Sequence, residues 1–357
     1  MYSQIREGVI EVTKELTPAE IKELCHMPEL RIVQYNHPLG ANTYTYLNDL
    51  LFAKRSDVTL RIYGFYDEVC DLECLEHMPT VTKLSIECIG EIAHLQSIAT
   101  LQQLKEFSLQ CEQIDSFELL SQIPAHLQSL ELGSTSSKKP DLEVLARFEQ
   151  LTYLSIDGHP KHIEVIGQLR TLEQLVLQSI SVSDLDFLTD LKLLWSLHLH
   201  FGGTRQLEAL ARLQHIKYLR LSQIKGLDDI HFISAMQGLQ YLYLEALPHI
   251  TTLPTLDELH SLRKIELIGM KGLKDIQSLE YAPALIEFIH REAWEMAPEA
   301  YEPLMRNPSV KRAYAHLKNA KKMNTFQHLL HHYHKKNTLE ERDHHHEHWW
   351  FEFPYEN

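Results

Sequence analysis

A short leucine-containing motif recurs along most of this chain and limits how it can fold. The motif is L-x-x-L-x-L or a close apolar variant, and its middle residue stands at positions 84, 107, 130, 154, 175, 197, 219, 242 and 265. The intervals are 21 to 24 residues, and weaker copies at Ile10, Val33, Leu60 and Leu285 extend the array. A unit this short cannot bury its apolar face alone, so neighbouring units must stack and share one core.

Each repeat has two parts with different periodicity. The alternation within Leu-x-Leu predicts a short strand with two side chains in the core. Apolar residues at every third position, as in Leu185, Leu188 and Leu191, predict 3₁₀ or short helical turns that return the chain to the next strand. The pattern therefore predicts an α/β solenoid, with parallel strands on one side and short helices on the other.

These repeats resemble the leucine-rich-repeat family, especially the short repeats of 22–23 residues in internalins and in a regulatory subunit of a protein phosphatase. The resemblance covers roughly residues 5–291. Members of that family usually carry Asn five residues after the middle leucine, and this sequence has no such Asn ladder. The resemblance implies a horseshoe-shaped solenoid with a parallel sheet on its concave side, 3₁₀ and short helices on its convex side, and a role in protein binding.

We expect three parts along the chain. Residues 1–291 form the solenoid and include its N-terminal cap, and residues 292–339 form a basic helical C-terminal cap whose main helix runs from Ser309 to about His334. Residues 340–357 form a tail rich in His, aromatic and acidic residues. Charge separates the last two parts, because residues 303–339 carry a net charge of +8 and residues 340–357 a net charge of −5.

Composition excludes several classes of protein. The formal net charge of −15 argues against generic nucleic-acid binding. No apolar run approaches the roughly 18 residues of a membrane span, and no secretory signal is visible at the N-terminus. Five cysteines in 357 residues do not form a disulfide framework. We therefore expect a cytoplasmic protein that binds neither nucleic acid nor membrane.

The strand pattern also predicts which side chains face a partner. Residues that alternate with the inward leucines point to solvent, and between positions 195 and 266 they are rich in Tyr, His and Arg. Tyr, Trp and Arg are over-represented in binding hot spots. The predicted partner-binding residues are Trp195, His198, His200, Tyr218, Arg220, Tyr241, Tyr243, Glu245, Lys264 and Glu266. The earlier repeats carry small polar residues at these positions, so we expect the footprint on the C-terminal half of the concave surface.

No catalytic signature for nucleotide binding, zinc proteolysis or acyl transfer occurs in the sequence, so we predict no catalytic residue, no metal ligand and no cofactor. A non-catalytic scaffold that binds a protein is the first hypothesis. A metal-dependent enzyme or regulator is an alternative, since eight histidines lie near the C-terminus: His328, His331, His332, His334, His344, His345, His346 and His348. A third hypothesis is an autoinhibited scaffold whose basic segment covers an acidic concavity. The oligomeric state stays open.

Overall fold

Parallel strands recur through the chain at the interval of the sequence repeat. The computed structural model describes residues 2–66, 68–137 and 139–338, and these divide into two compact units, unit 1 up to Leu172 and unit 2 from Glu173 onward. The tail predicted at residues 340–357 lies outside the described residues. None of the described helices is long and apolar enough to cross a membrane.

Ten strands lie within the described part of unit 1. They are β1 (Tyr2–Arg6), β2 (Val9–Val12), β3 (Ile32–Tyr35), β4 (Thr59–Gly64), β5 (Cys70–Asp71), β6 (Lys83–Cys88), β7 (Ile92–Ala93), β8 (Glu106–Leu109), β9 (Ser129–Leu132) and β10 (Tyr153–Asp157). Strand β1 pairs antiparallel with β2, the main sheet continues in parallel through β3, β4, β6, β8, β9 and β10, and β5 pairs separately with β7.

The return segments of unit 1 are short helices. The α-helices are α1 (Pro18–Cys25) and α2 (Ala41–Leu47), the second being followed by a π-helical turn at Asn48–Phe52. Thr17 begins α1 with a capping box, in which its hydroxyl accepts a hydrogen bond from the Glu20 amide. The 3₁₀ segments are Leu72–His77, Leu95–Thr100, Glu118–Ser121, Glu143–Arg147 and Ile163–Gln168.

The described residues of unit 2 form eight strands, all parallel and each paired with the next. They are β11 (Gln174–Gln178), β12 (Ser196–His200), β13 (Tyr218–Ser222), β14 (Tyr241–Glu245), β15 (Lys264–Ile268), β16 (Glu287–Arg291), β17 (Arg312–Ala315) and β18 (Lys336–Asn337). The 3₁₀ segments are Asp186–Leu188, Glu208–Arg212, His231–Ala235, Gln277–Tyr281 and Pro298–Tyr301, and the α-helices are α3 (Glu302–Arg306) and α4 (Ala320–His332).

The predicted leucine ladder is confirmed in both units. Strand pairing in unit 1 aligns Leu84, Phe107, Leu130 and Leu154 side by side. In unit 2 it aligns Leu175, Leu197, Leu219, Leu242, Ile265 and Phe288. All of these side chains are at most 2% exposed, so burial of one continuous apolar row per unit is what holds the coils together.

In unit 2, backbone N–H groups rather than Asn side chains link the loop after each strand to the next coil. The residue four positions after the ladder residue adopts positive φ, as in Ser179 (55°), Phe201 (55°), Gln223 (54°) and Ala246 (49°). In each case its N–H donates to a carbonyl of the next strand, at 2.8 to 3.0 Å. Glycine adopts positive φ without strain and holds this position as Gly269, whereas the other coils of unit 2 place non-glycine residues there.

The helix predicted from Ser309 to His334 is wrong over its first half. Residues Arg312–Ala315 form β17, because their alternation places Ala313 and Ala315 in the core and pairs them with β16. Helix α4 instead begins after Asn319, whose side-chain oxygen accepts a hydrogen bond from the Lys322 amide at 3.0 Å. The parallel sheet therefore continues past residue 291, with α4 as the return segment of its last described coil.

Candidate functional site

The strand register of unit 2 brings the predicted partner-binding residues together on one face of the sheet. Three rows cross the strands, and Trp195 lies directly before β12. The rows are Ser196, Tyr218, Tyr241 and Lys264; then His198, Arg220, Tyr243 and Glu266; then His200, Ser222 and Glu245. We call the side chains of β12–β18 that alternate with the inward ladder the outward face of unit 2.

Aromatic rings form the centre of this face. The rings of Tyr218 and Tyr241 stack with centroids 4.6 Å apart and an interplanar angle of 3°. His198 contacts Tyr218 edge-on at 4.7 Å, and Trp195 and Tyr243 pack against Tyr241. Rings in adjacent strands stack because parallel pairing sets directly opposed side chains about 5 Å apart.

Two cations lie over these rings. The Arg220 guanidinium is 4.3 Å from the centroid of the Tyr243 ring, and the Lys264 ammonium is 4.7 Å from that of Tyr241. Arg220 also donates to the Glu245 carboxylate at 3.0 Å. The Arg220 Nε atom is buried and has no hydrogen-bond partner. The Arg220 guanidinium therefore uses only part of its hydrogen-bonding capacity.

The second half of the outward face is far more buried than the sequence predicts. Tyr241 is 1% exposed, Lys264 7%, Glu266 6% and Glu287 4%, although each occupies an outward position. Glu266 accepts from the Tyr241 hydroxyl at 2.9 Å and lies 3.3 Å from Arg291 Nε. The expectation that the alternating residues all face solvent is therefore wrong for Tyr241, Lys264, Glu266 and Glu287, even though the alternation itself is right.

Burial changes the acid–base behaviour of this face. Desolvation, with the nearby charge of Arg220, lowers the pKa of His198 to about 3 and that of His200 to about 4. Desolvation also raises the pKa of Tyr243 to about 12. At neutral pH both imidazoles are uncharged, so they present aromatic edges and hydrogen-bonding nitrogens rather than positive charge.

Unit 1 carries a second arginine–tyrosine cluster that the sequence analysis missed. The Arg61 guanidinium lies 4.5 Å from the centroid of the Tyr63 ring. It donates to Glu87 and to Gln34, each at 2.8 Å, and the Tyr63 hydroxyl donates to Glu11. The alternation of Arg61 and Tyr63 with Leu60 and Ile62 was the available signal, since it places both on the outward side of β4.

Within the described residues, two groups of side chains bring three possible metal ligands within 4.8 Å of one another. They are Asp71, Glu73 and His94, and Asp141, Glu143 and His162. In each group the aspartate accepts from the amide two residues ahead and pairs with the histidine of the following coil. These hydrogen bonds join neighbouring coils, and this structural role accounts for both groups. The described C-terminal histidines His328, His331, His332 and His334 form no such group.

No family model matches this sequence, and no curated protein sequence matches it. Among solved structures, TLR13 in its ssRNA13 complex matches with a TM-score of 0.51 and 14% identity, over 87% of this chain and 55% of that one.

Two bacterial structures also match, with lower TM-scores. An internalin of Listeria monocytogenes gives a TM-score of 0.49 and 13% identity, over 93% of this chain and 86% of its own. A leucine-rich-repeat protein of Leptospira interrogans gives 0.48 and 16%, over 90% and 97%. The leucine ladder, the parallel strands with 3₁₀ return segments and the likeness to TLR13 together show that this chain has the leucine-rich-repeat fold.

Proposed function

We propose that this chain is a non-catalytic scaffold that binds a protein partner through the outward face of β12 to β15. The observation that carries the proposal is the cluster in which Tyr218 stacks on Tyr241 while Arg220 lies over Tyr243. Such rings offer large contact area at a small entropic cost, with polar groups at their tips.

The exposure of the cluster supports binding rather than a purely structural role. Tyr218, Arg220 and Tyr243 are each only partly buried, and His198 and His200 border them. A partner that covers the rings removes apolar surface from water. That gain is available only on binding.

The test is capture of partners from lysate with quantitative mass spectrometry. The variant Tyr218→Ser/Tyr243→Ser changes two partly buried rings and keeps the buried Tyr241. We expect proteins that bind the face to fall at least five-fold relative to the unchanged chain. The matched control is Tyr63→Ser in unit 1, which also removes a partly buried ring beside an arginine and should leave capture unchanged. Equal capture by all three chains contradicts the proposal.

A nucleic-acid partner is the competing possibility for a face rich in aromatic and basic groups, because bases stack on exposed rings. Fluorescence anisotropy with a labelled single-stranded RNA tests it directly. We expect no saturable binding at 150 mM salt, since the chain carries a formal net charge of −15. If RNA binds saturably and the Tyr218→Ser/Tyr243→Ser variant abolishes that binding, the ligand of this face is RNA and not a protein.

A further inference from the structure

We propose that Cys70 and Cys88 of unit 1 form a modification site, at which a hydroperoxide converts the two thiols into a reversible disulfide. All five cysteines of the chain are free thiols in the structure. The bond would join the segment after β4 to the coil that contains β6. The inference goes beyond the proposed function and does not depend on it, because both cysteines lie in unit 1.

The fold brings the two sulfurs together although they are 18 residues apart in sequence. Cys70 begins β5 and Cys88 ends β6. The Cys88 thiol donates to the Cys70 sulfur, with the two Sγ atoms 2.8 Å apart. Bonded sulfurs in a disulfide lie about 2.05 Å apart, so the two atoms need to close by less than about 1 Å. Small rotations of the two side chains supply a movement of this size without displacing the coils.

A metal ion fits the same thiols poorly. Two thiolates on one Zn²⁺ ion lie about 3.8 Å apart, because the site is tetrahedral and each Zn–S bond is about 2.3 Å long. The observed separation of 2.8 Å is too short for two ligands of one such ion. Within the described residues, the groups of three possible ligands that lie within 4.8 Å of one another are the two reported above, and neither contains a cysteine. Disulfide formation therefore suits the pair better than metal binding.

The other cysteines of unit 1 are placed differently. Cys74 contacts the Tyr35 hydroxyl at 3.3 Å, and burial raises the pKa of its thiol to about 11. Cys111 also contacts Cys88 from the next coil, and its thiol donates to the Ile86 carbonyl at 3.8 Å. Cys88 thus has two thiol neighbours, and the neighbour at 2.8 Å is the one that we assign as its partner in the disulfide.

A thin layer of chain separates the two sulfurs from water. Cys70 is 0% exposed and Cys88 is 2% exposed, but Val69 and Ile89, which adjoin them in sequence, are 43% and 54% exposed. Strand β5 is held by its pairing with β7, and each of these strands is two residues long. Because so few backbone hydrogen bonds hold this cover, we expect it to open locally without unfolding of the unit. Such an opening admits a molecule as small as H₂O₂.

The reaction is a two-electron oxidation of the thiols by the peroxide. One thiolate attacks an oxygen of H₂O₂, the O–O bond breaks, and hydroxide leaves while the sulfur becomes a sulfenic acid. The second thiolate attacks the sulfenic sulfur, the S–S bond forms, and a second hydroxide leaves. The two thiol protons convert these hydroxides to water, so two thiols and one H₂O₂ give one disulfide and two H₂O. Because the second sulfur already lies beside the first, it captures the sulfenic acid before further oxidation.

Disulfide mapping of the full-length protein tests the inference. The native chain is treated briefly with H₂O₂, its remaining thiols are alkylated in denaturant, and tryptic peptides are identified by mass spectrometry. Cleavage after Lys83 separates the peptide that contains Cys88 from the one that contains Cys70 and Cys74, and fragmentation distinguishes these two. We expect a Cys70–Cys88 disulfide at least five-fold more abundant than any other. No disulfide, a dominant bond from Cys88 to Cys111, or thiols oxidised beyond the sulfenic acid would overturn the inference.

The same oxidation in denaturant separates the effect of the fold from that of sequence proximity. In the unfolded chain the shorter loop between Cys70 and Cys74 closes more readily than the loop to Cys88. We therefore expect the Cys70–Cys88 bond to lose its five-fold excess there. A bond to Cys88 that dominates equally in the native and unfolded chains contradicts a site built by the fold.

A matched pair of variants locates the reacting sulfur. Cys70→Ser should abolish the bond to Cys88, whereas Cys74→Ser, at a buried cysteine four residues away, should leave it unchanged. Loss of the bond in both variants would contradict the assignment. If Cys70→Ser does not fold, the mapping of the unchanged chain in its native and unfolded states still decides.

Thermal unfolding tests whether the native coils accept the bond. A disulfide that closes a loop between residues 18 apart restricts the unfolded chain, so the oxidised protein should unfold about 5 °C above the reduced protein. Dithiothreitol should reverse the shift, and the oxidised Cys70→Ser variant should show none. A midpoint that stays the same or falls on oxidation would show that the bond distorts unit 1, which contradicts the inference.

Discussion

The two units each place an arginine over a tyrosine on the outward side of their strands, but they complete the cluster differently. In unit 1 the Arg61 guanidinium donates to Glu87 and Gln34, and the Tyr63 hydroxyl donates to Glu11. In unit 2 the Arg220 Nε is buried without a hydrogen-bond partner, and Tyr243 lies beside a tyrosine stack. A cluster whose polar groups are satisfied internally stabilises its unit, whereas one with unused groups and partly exposed rings is suited to binding.

The difference shows what the repeat constrains. Both units need the same inward ladder, because coils stack only when each contributes apolar residues to a shared core. The outward positions alternate with that ladder and contribute little to stacking, so their residue types are free to vary. Unit 1 uses this freedom for hydrogen-bonded networks, and unit 2 uses it for rings and partly buried charges.

The largest expected effect is the loss of stability when a ladder leucine is truncated. It tests whether the inward ladders of the two units contribute equally to stability. Leu130→Ala in unit 1 and Leu219→Ala in unit 2 both remove a side chain that is 0% exposed. Each should lower the free energy of unfolding by about 2–5 kcal/mol, since transfer and cavity costs add. Chemical denaturation monitored by circular dichroism measures the loss. A large loss in one unit and none in the other would contradict equal ladders.

A second prediction concerns the buried charges of unit 2. Glu266→Gln preserves shape and an acceptor for the Tyr241 hydroxyl, but removes the charge that faces Lys264 and Arg291. Because the site is 6% exposed, we expect a loss of about 2 kcal/mol in the free energy of unfolding. Denaturant titration at low and high salt measures it. A loss that disappears at high salt would show that water reaches the site, which would contradict the burial of Glu266.

The pH dependence differs in sign between the partly buried histidines of the unit 2 face and two exposed histidines of unit 1. Burial lowers the pKa of His198 to about 3 and of His200 to about 4, below the value of about 6.5 expected in the unfolded chain. Between pH 6.5 and 4 the unfolded state therefore binds more protons, and stability falls as the pH falls. In unit 1, hydrogen bonds that His94 and His162 donate to Asp71 and Asp141 raise the pKa of both imidazoles. Those pairs stabilise below pH 6.5 and weaken as the pH rises through the folded pKa.

Thermal unfolding at pH 7.5 and pH 5.0 checks this prediction. The variant His198→Gln/His200→Gln should lose less stability on acidification than the unchanged chain, by about 2 kcal/mol for each histidine. His94→Gln is the matched control and should change the acid response in the opposite direction. Other buried histidines, such as His290, are present in every chain compared, so their contribution cancels. Identical acid responses of all three chains would show that His198 and His200 are not desolvated.

The sequence predicts the ladder well and the burial of the face poorly, for physical reasons. Leu219 is recognisable because the repeat needs an apolar residue there in every coil. The burial of Tyr241 depends on side chains from neighbouring coils, and periodicity carries no information about them. The Arg61–Tyr63 cluster was missed because its partner Glu11 is 52 residues from Tyr63. Strand β17 was missed because Ala313 and Ala315 fill ladder positions without a leucine.

The smallest expected effect comes from the exposed part of the unit 1 face. Lys83 and Glu106 form an ion pair at 2.8 Å with side chains 28% and 44% exposed. Water and salt screen such a pair, so a double-mutant cycle of Lys83→Ala and Glu106→Ala should give a coupling of less than about 1 kcal/mol. The same cycle on Arg220 and Glu245, whose side chains are 31% and 24% exposed, should give a larger coupling, because a ring covers one side of the guanidinium. Equal coupling energies for the two ion pairs would mean that the outward side chains of the two units do not differ in electrostatics. Their aromatic content would then be the remaining difference.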